Sequence, residues 1–340
     1  MKKLRFAFMG FRHGHILGVY NQLKDRGDVE TVAACEEDAA ARKSLLDGKN
    51  VVITHESYRS MLDAVPCDVV AVGDYYGKRG AILIEALKRG KHVISDKPIC
   101  TSLKELDEIE RLAREKNLSV GCQFDLRDSG IFQEMRRLIL GGEIGGVHAI
   151  SFNGEHPLNW GTRPAWYFEK GKHGGTLNDI AVHAIDVIPW LTGLRFKTVN
   201  AARNWHVRPA EAPHFNDCAQ VMLTMDNGCG VLGDVSYLAP DSQGFSMPQY
   251  WQTRFWGEKG LIEGNLVAKE ITLYSKSAKE PKVFKPGNGS PGGYLDSFIQ
   301  EIGGKKEGLS PSSADVFAAS RVALQIQEAA DKGLSNTTVG

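Results

Sequence analysis

The sequence predicts an α/β protein with two domains. A doubly wound parallel sheet is expected in residues 1–125, and an α+β domain with a large, mostly antiparallel open sheet in residues 126–340. Before residue 125, strand-like and helix-like segments alternate about five times, which is typical of a parallel sheet. After it, strand-like segments follow one another without long helices between them. At 340 residues the chain is also too long for one ordinary core.

Composition excludes several classes of partner. Lys+Arg and Asp+Glu both count 41, so no basic excess favours nucleic acid or a membrane surface. No apolar run approaches the roughly 20 residues that span a bilayer, and the amino-terminal apolar run is too short for a signal peptide. We therefore expect a cytoplasmic protein. The six cysteines lack C-x-x-C spacing and are expected to be buried thiols.

No metal site is expected. No pair of Cys or His residues has ligand spacing beside another such pair. His13 and His15 are close in sequence, but they lie in a turn without an acidic or thiol companion.

The first predicted strand, Leu4–Met9, leads into a glycine turn and a helix with apolar residues at helical spacing. This context suits a dinucleotide loop, in which Gly10 permits the turn and Gly14 lets the helix start close to the strand. The helix amino terminus then offers N–H groups to a pyrophosphate. Because Arg12 replaces the middle glycine of G-x-G-x-x-G, an ordinary strand–helix turn is an equal alternative. The cofactor-binding candidates in this loop are Gly10, Phe11, Arg12, His13 and Gly14.

A second strand, 30–35, ends at Glu36. An acid there accepts hydrogen bonds from a ribose diol and repels a 2′-phosphate, so Glu36 predicts NAD as the cofactor. The alternative is an acidic helix start exposed to solvent. Arg12 and Arg42 are nearby cations that keep NADP as an alternative cofactor.

The fourth strand delivers a lysine to the carboxyl end of the sheet, where open α/β sheets bind ligands. This strand is His92–Ser95, and Lys97 follows it in Ser95-Asp96-Lys97-Pro98. Gly90 is expected to end the preceding helix, and Ser102 and Glu105 have capping-box spacing at the start of the next. The third and fifth strands are expected at 67–73 and 119–124.

The second domain is expected to begin with a helix, 132–140. Asp226-Asn227-Gly228 is a strong hairpin signal between two of the strands that follow. Two helices are expected near 294–302 and 314–332. The predicted strands are 148–154, 196–207, 219–225, 230–237, 250–256 and 271–274.

A second candidate site follows Gly174-Gly175. If this segment is helical, Asp179 and His183 are one turn apart, and Asp186 lies one further turn along the same face. A carboxylate beside a histidine can orient it and raise its basicity, as a general base requires. The alternative, a surface pair that only solvates the helix, is favoured for an isolated D-x-x-x-H pattern.

The segment before it combines aromatic and polar side chains: His156, Trp160, Arg163 and Trp166. Aromatic faces pack on the C–H faces of a sugar or polyol, while polar groups meet its hydroxyls. Packing around a loop is the alternative interpretation.

With these motifs in order, the chain resembles the glucose–fructose oxidoreductase / inositol dehydrogenase (Gfo/Idh/MocA) family over nearly its whole length. Residues 90–98 resemble the family's G-K-H-V-x-x-E-K-P, with Asp96 in place of Glu, and residues 174–186 resemble its G-G-x-x-x-D-x-x-x-H-x-x-D. The resemblance implies an N-terminal Rossmann domain and NAD(P)-dependent redox chemistry on sugars, polyols and their derivatives. By position, Lys97, Asp179 and His183 match its active-site residues.

The resemblance also implies a homodimer or homotetramer, which we expect to form through the C-terminal sheet. Asp74-Tyr75-Tyr76 stands where the family often has T-P-N, so Asp74 and Tyr75 join the cofactor-binding candidates. Asp96 and Lys97, in the matched 90–98 motif, are the other two candidates.

The expected reaction is oxidation of a secondary hydroxyl. His183 would accept the proton, and Lys97 would stabilise the charge on oxygen. One alternative is an enzyme that retains NAD through internal redox or elimination on glycosides. Another is a nucleotide-binding sensor without catalysis.

Overall fold

The computed structural model describes residues 3–48 and 50–340. The chain divides into two compact units, each made of several chain segments. The first contains the residues up to Gln123, Gly171–Gly174 and Tyr294–Phe317. The second contains Phe124–Lys170, Gly175–Gly293 and Ala318–Gly340.

The first unit is built on a five-stranded sheet in the order β2-β1-β3-β4-β5, with parallel pairing throughout. Its strands are fully or mostly buried apolar runs, as expected for a sheet covered on both faces. The predicted doubly wound sheet is thereby confirmed. The strands are β1 (Leu4–Met9), β2 (Val29–Cys35), β3 (Val69–Val72), β4 (His92–Ser95) and β5 (Val120–Cys122).

The helices of this unit begin and end where local sequence dictates. The Ser102 hydroxyl accepts from the Glu105 N–H at 3.3 Å, which confirms the capping box. Gly90 has φ +73° just beyond α4, which confirms the glycine stop. The helices are α1 (Ile16–Lys24), α2 (Ala39–Asp47), α3 (Tyr58–Ala64), α4 (Tyr76–Lys88) and α5 (Leu103–Lys116).

The second unit is built on a nine-stranded sheet in the order β13-β12-β11-β10-β6-β9-β8-β7-β14. Every neighbouring pair is antiparallel except β6 with β9, so the predicted, mostly antiparallel sheet is confirmed. Gly228 has φ +88° in the predicted hairpin turn. The strands are β6 (Val147–Pro157), β7 (Phe196–Trp205), β8 (Cys218–Met225), β9 (Gly230–Ala239), β10 (Gln252–Gly257), β11 (Gly260–Gly264), β12 (Ile271–Ser275), β13 (Lys282–Phe284) and β14 (Ser335–Thr338).

One face of this sheet carries the core, and the other is open. Phe152 and Phe255 point from the sheet into a core shared with α6 (Gly130–Leu140) and α7 (Val182–Thr192). On the open face, Met222, Leu232 and Trp256 are between 48% and 59% exposed. The remaining helices are α8 (Gly293–Ile302), which packs in the first unit through Tyr294, Leu295 and Phe298, and α9 (Ser313–Lys332), which enters the second unit at Ala318.

The six cysteines are all buried, as expected. Within residues 3–48 and 50–340, no helix combines the length and apolar character needed to cross a membrane.

Candidate functional site

The loop after β1 approaches the end of β3 closely. Gly10 has φ +77°, and a Cβ there would lie 2.7 Å from the Asp74 Cβ, so this position requires glycine. Gly14 is different, because a Cβ there would meet no atom within 4 Å. The reason predicted for Gly14 is therefore wrong. Helix α1 instead approaches the sheet at Gly73, where a Cβ would lie 2.3 Å from the Ile16 Cβ.

Glu36 ties this loop to the end of β2. Its side chain is completely buried, and its two carboxylate oxygens accept from the Phe11 N–H at 2.7 Å and the Asp38 N–H at 2.9 Å. Burial raises the pKa of Glu36, and the two N–H groups oppose that rise. The predicted ribose acid thus also fixes the backbone of the loop.

The cations near the carboxyl ends of β2 and β3 lie close to carboxylates. The Arg12 guanidinium lies 3.3 Å from Asp38 and 3.9 Å from Asp74, and it covers the Tyr75 ring at 5.0 Å. The Lys78 ammonium forms ion pairs with Asp74 and Glu37, each at 2.8 Å. The positive charges of Arg12 and Lys78 near the end of β2 are therefore each paired with carboxylates.

A completely buried carboxylate, Asp96, organises the segment before Lys97. The Arg79 guanidinium lies 3.0 Å from it and also donates to the main-chain carbonyls of Asp96, Lys97 and Pro98. The His13 Nδ1 contacts the same carboxylate, while His13 Nε2 lies 3.1 Å from the Tyr76 hydroxyl. This network fixes the backbone around Lys97, whose side chain is itself buried.

Burial and the positive charge of Arg79 determine whether His13 and Asp96 are ionised. Burial lowers the pKa of His13 to about 4 despite the attraction of Asp96, so His13 is neutral at neutral pH. Burial opposes ionisation of Asp96, but His13 and Arg79 hold its pKa well below its usual range. Since His13 is neutral there, Arg79 supplies the compensating charge.

The two histidines do have an acidic companion, which the sequence analysis missed. His15 Nδ1 lies 3.5 Å from Asp96, and the donor atoms of His13, His15 and Asp96 all fall within 4.8 Å of one another. Among the described residues this is the one such group of three able to converge on a metal ion. The fixed positive charge of Arg79 on the same carboxylate opposes a cation, so we assign no metal to it.

In the second unit, the predicted helix at the D-x-x-x-H motif is present but begins with a π-helical turn, Leu177–Ala181, before α7. π-turns of this kind are frequent at functional sites. Asp179, in this turn, accepts a hydrogen bond from the Tyr237 hydroxyl. His183, in the first turn of α7, has its Nδ1 3.9 Å from Asp125 Oδ1.

Two residues outside the predicted set connect its members within this unit. Tyr237 contacts Asp179 through its hydroxyl, and its ring lies against the Arg163 guanidinium at 5.0 Å. The Trp251 ring packs edge-on against His183 at 5.1 Å and His156 at 5.8 Å. Trp251 also has φ +56°, a strained conformation for an aromatic residue.

The predicted sugar-facing residues have different surroundings. His156 Nδ1 donates to the Gly154 carbonyl at 3.1 Å. Arg163 donates to two main-chain carbonyls and covers the Tyr167 ring at 4.6 Å. Trp166 is buried and stacked on Tyr167, whereas Trp160 is 44% exposed.

Asp186 has a structural partner. Its carboxylate accepts two hydrogen bonds from Arg127, at 2.7 and 2.9 Å, and both side chains are almost completely buried. Arg127 belongs to a short 3₁₀ helix, Asp125–Asp128. This bidentate ion pair therefore fixes α7 against the 3₁₀ helix.

Comparisons with known proteins place both units in one family. Residues 4–124 match the sequence model described as "Oxidoreductase family, NAD-binding Rossmann fold", and residues 132–263 match that of the "GFO/IDH/MocA C-terminal domain". Together the two matches cover most of the chain.

Two curated relatives are sugar dehydrogenases. A levoglucosan dehydrogenase from Pseudarthrobacter phenanthrenivorans is 30% identical over 183 residues, which are 52% of this chain and 46% of the relative. A D-xylose dehydrogenase from Paenarthrobacter nicotinovorans is 24% identical over 216 residues, 58% of this chain and 54% of the relative. The chain thus spans about half the length of these relatives.

Solved structures agree over the whole chain. A putative oxidoreductase from Erwinia carotovora superposes with a TM-score of 0.85 at 25% identity, covering 96% of this chain and 99% of that one. A levoglucosan dehydrogenase in complex with NADH and L-sorbose superposes with a TM-score of 0.80 at 21% identity and full coverage of both chains.

Asp186→Ala is expected to lower the free energy of unfolding by roughly 3–5 kcal/mol, because it leaves the Arg127 charge buried without its carboxylate. Urea unfolding followed by fluorescence measures this change. Asp47→Ala, which removes half of an exposed Lys43–Asp47 pair, is the control and should cost less than about 1 kcal/mol. Equal losses in the two variants would contradict the structural role of the buried pair.

Proposed function

Because the chain belongs to the Gfo/Idh/MocA oxidoreductase family, we propose that it is an NAD(P)-dependent dehydrogenase. It transfers a hydride between a secondary hydroxyl of a sugar, polyol or derivative and the nicotinamide. The observation that carries the proposal is the presence of both family motifs on the two matched domains, with Lys97 just beyond β4 and His183 in the first turn of α7. The sugar dehydrogenases among the relatives support the substrate class.

The proposal gives each motif residue a role. His183 accepts the hydroxyl proton, and Lys97 donates a hydrogen bond to the same oxygen as negative charge develops there. Asp179 orients the substrate or the histidine. When bound, the nicotinamide supplies the hydride acceptor.

The loop after β1 fits a dinucleotide. Gly10 allows the tight turn, and Glu36 fixes the loop through the Phe11 N–H. Gly14 is exposed at the start of α1, and the space over its Cα is open to an anion approaching the helix amino terminus. These residues would hold the pyrophosphate and the adenosine ribose.

We favour NAD over NADP. A 2′-phosphate at the end of β2 would lie beside the acidic run Glu36-Glu37-Asp38. Arg12 lies within ion-pair distance of Asp38, and Arg42 of Glu56, so the local cations are already compensated by acids. Repulsion from this acidic set disfavours the extra phosphate.

We also propose that a second copy of the chain covers the open face of the nine-stranded sheet. Met222 and Leu232 are cross-strand neighbours on β8 and β9, and both are about half exposed. Trp256 on β10 adds a third large exposed side chain. Exposed apolar groups of this size on one sheet face are typical of subunit interfaces.

His183→Ala and Lys97→Ala should each lower kcat by roughly 10²–10⁴-fold, which is far more than they weaken NADH binding. The measurement is NADH appearance over a panel of inositols, aldoses and glycosides, beside a fluorescence titration with NADH. His148→Ala, at an exposed histidine, is the matched control. Wild-type turnover in His183→Ala would contradict the assignment of His183 as the proton acceptor.

NADH retained through desalting without net NADH formation would favour internal redox chemistry instead.

Leu232→Asp should convert a dimer or tetramer into monomers, because it buries a charge in the proposed interface. Light scattering coupled to size-exclusion chromatography measures the mass. Leu46→Asp, at a leucine on α2 that is also about half exposed, should leave the mass unchanged. A wild-type protein that elutes as a monomer at micromolar concentration would contradict the proposed interface.

A further inference from the structure

Asp125 and His183 face each other across two segments of the second unit. Asp125 is the first residue of the 3₁₀ helix Asp125–Asp128, and His183 lies in the first turn of α7. Asp125 Oδ1 is 3.9 Å from His183 Nδ1. This distance is too long for a hydrogen bond but short enough for a strong interaction between charges.

A buried ion pair also joins the 3₁₀ helix to α7. Two residues after Asp125, Arg127 forms the buried bidentate pair with Asp186, which is one turn after His183 on α7. This clamp fixes both the separation and the orientation of the 3₁₀ helix relative to α7. The proximity of Asp125 to His183 therefore follows from a rigid contact.

The surroundings of His183 strengthen its interaction with the Asp125 carboxylate. His183 is 5% exposed and packs against the Trp251 ring, so its interactions are poorly screened by water. Asp125 is about half exposed, so burial imposes little desolvation cost on its charge. Its charge also reaches Tyr250, whose pKa is raised to about 12 by burial and by Asp125.

Two other carboxylates lie on the π-turn and on α7, close in sequence to His183. Asp179 lies in the π-turn that leads into α7 and accepts from Tyr237, and the pKa of Tyr237 is raised well above its usual value by burial and by Asp179. Asp186 on α7 is neutralised by Arg127. Asp125 is therefore an acid from a separate segment that faces His183 directly.

We propose that Asp125 is a positioning residue for His183. Its carboxylate favours the tautomer with the proton on Nδ1, which leaves Nε2 to accept a proton, and it stabilises the imidazolium that results. In the proposed reaction, the alcohol loses its hydroxyl proton to Nε2 and its hydride to NAD⁺, and the carbon becomes a carbonyl carbon. The inference rests on the proposed function for this last step only, since the pairing itself is independent of substrate.

The pairing is tested by NMR titration of ¹⁵N-labelled histidines, with the His183 signals assigned by their loss in His183→Gln. Asp125→Asn removes the charge and keeps the shape. An opposite charge favours the protonated imidazole, so the pKa of His183 should fall in this variant, by about one unit. Asp226→Asn, in the exposed β8–β9 hairpin, removes a charge of the same sign from the same unit and should leave the titration unchanged. An unchanged His183 titration in Asp125→Asn would overturn the proposal.

The kinetic arm uses any substrate found in the panel. His183 must be deprotonated to accept the hydroxyl proton, so kcat/KM for oxidation rises with pH through the pKa of His183. In Asp125→Asn the acid limb should move to lower pH by the shift that NMR reports. A limb that stays in place while the NMR titration moves would contradict the positioning role. An NMR shift without turnover of any panel member would support the pairing and count against the proposed function.

Discussion

The first unit depends on buried carboxylates that must find partners. Glu36 follows β2, Asp74 follows β3 and Asp96 follows β4, and each is completely buried. An ionised carboxylate in such a place is costly unless hydrogen bonds and positive charge compensate it. All three find part of that compensation in the loop after β1, through the Phe11 N–H, Arg12 and His13. The need to satisfy these acids therefore shapes the loop in which a dinucleotide would bind.

In the second unit, the motif side chains are held by an ion pair, a tyrosine hydroxyl and an aromatic ring. The Arg127–Asp186 pair fixes α7, and the Tyr237 hydroxyl fixes Asp179 in the turn before it. Trp251, held at a positive φ, supplies the aromatic contact for His183. The polar groups of the motif are thus each anchored by a buried partner. Rigid anchoring of this kind is what an acid–base site requires to keep its geometry.

Sequence patterns predict those parts of the fold that depend on local chemistry. The apolar run of β1 and the capping box at Ser102 need no tertiary information, and both predictions are confirmed. Helix α2 buries only Leu45 and so lacks a strong apolar periodicity, and β14 is a short polar strand; neither was predicted. The contact of His13 with Asp96 joins residues 83 positions apart, and that of Tyr237 with Asp179 joins residues 58 apart. Such pairs depend on the tertiary fold, so the sequence motifs gave His13, Asp96 and Asp179 as candidates but missed Tyr237 and both partnerships.

The central claim is that the acid-held loop after β1 binds NAD. A fluorescence titration with NADH and NADPH, on the wild type and on Glu36→Gln, tests it most directly. We expect NADH to bind at least about tenfold more tightly than NADPH. We also expect Glu36→Gln to weaken NADH binding by roughly tenfold or more, because an amide N–H₂ group replaces one charged acceptor. Glu56→Gln, at an exposed acid that pairs with Arg42, should bind NADH like the wild type. Failure of the wild type to bind either nucleotide, or tighter binding of NADPH, would contradict NAD binding by the loop after β1.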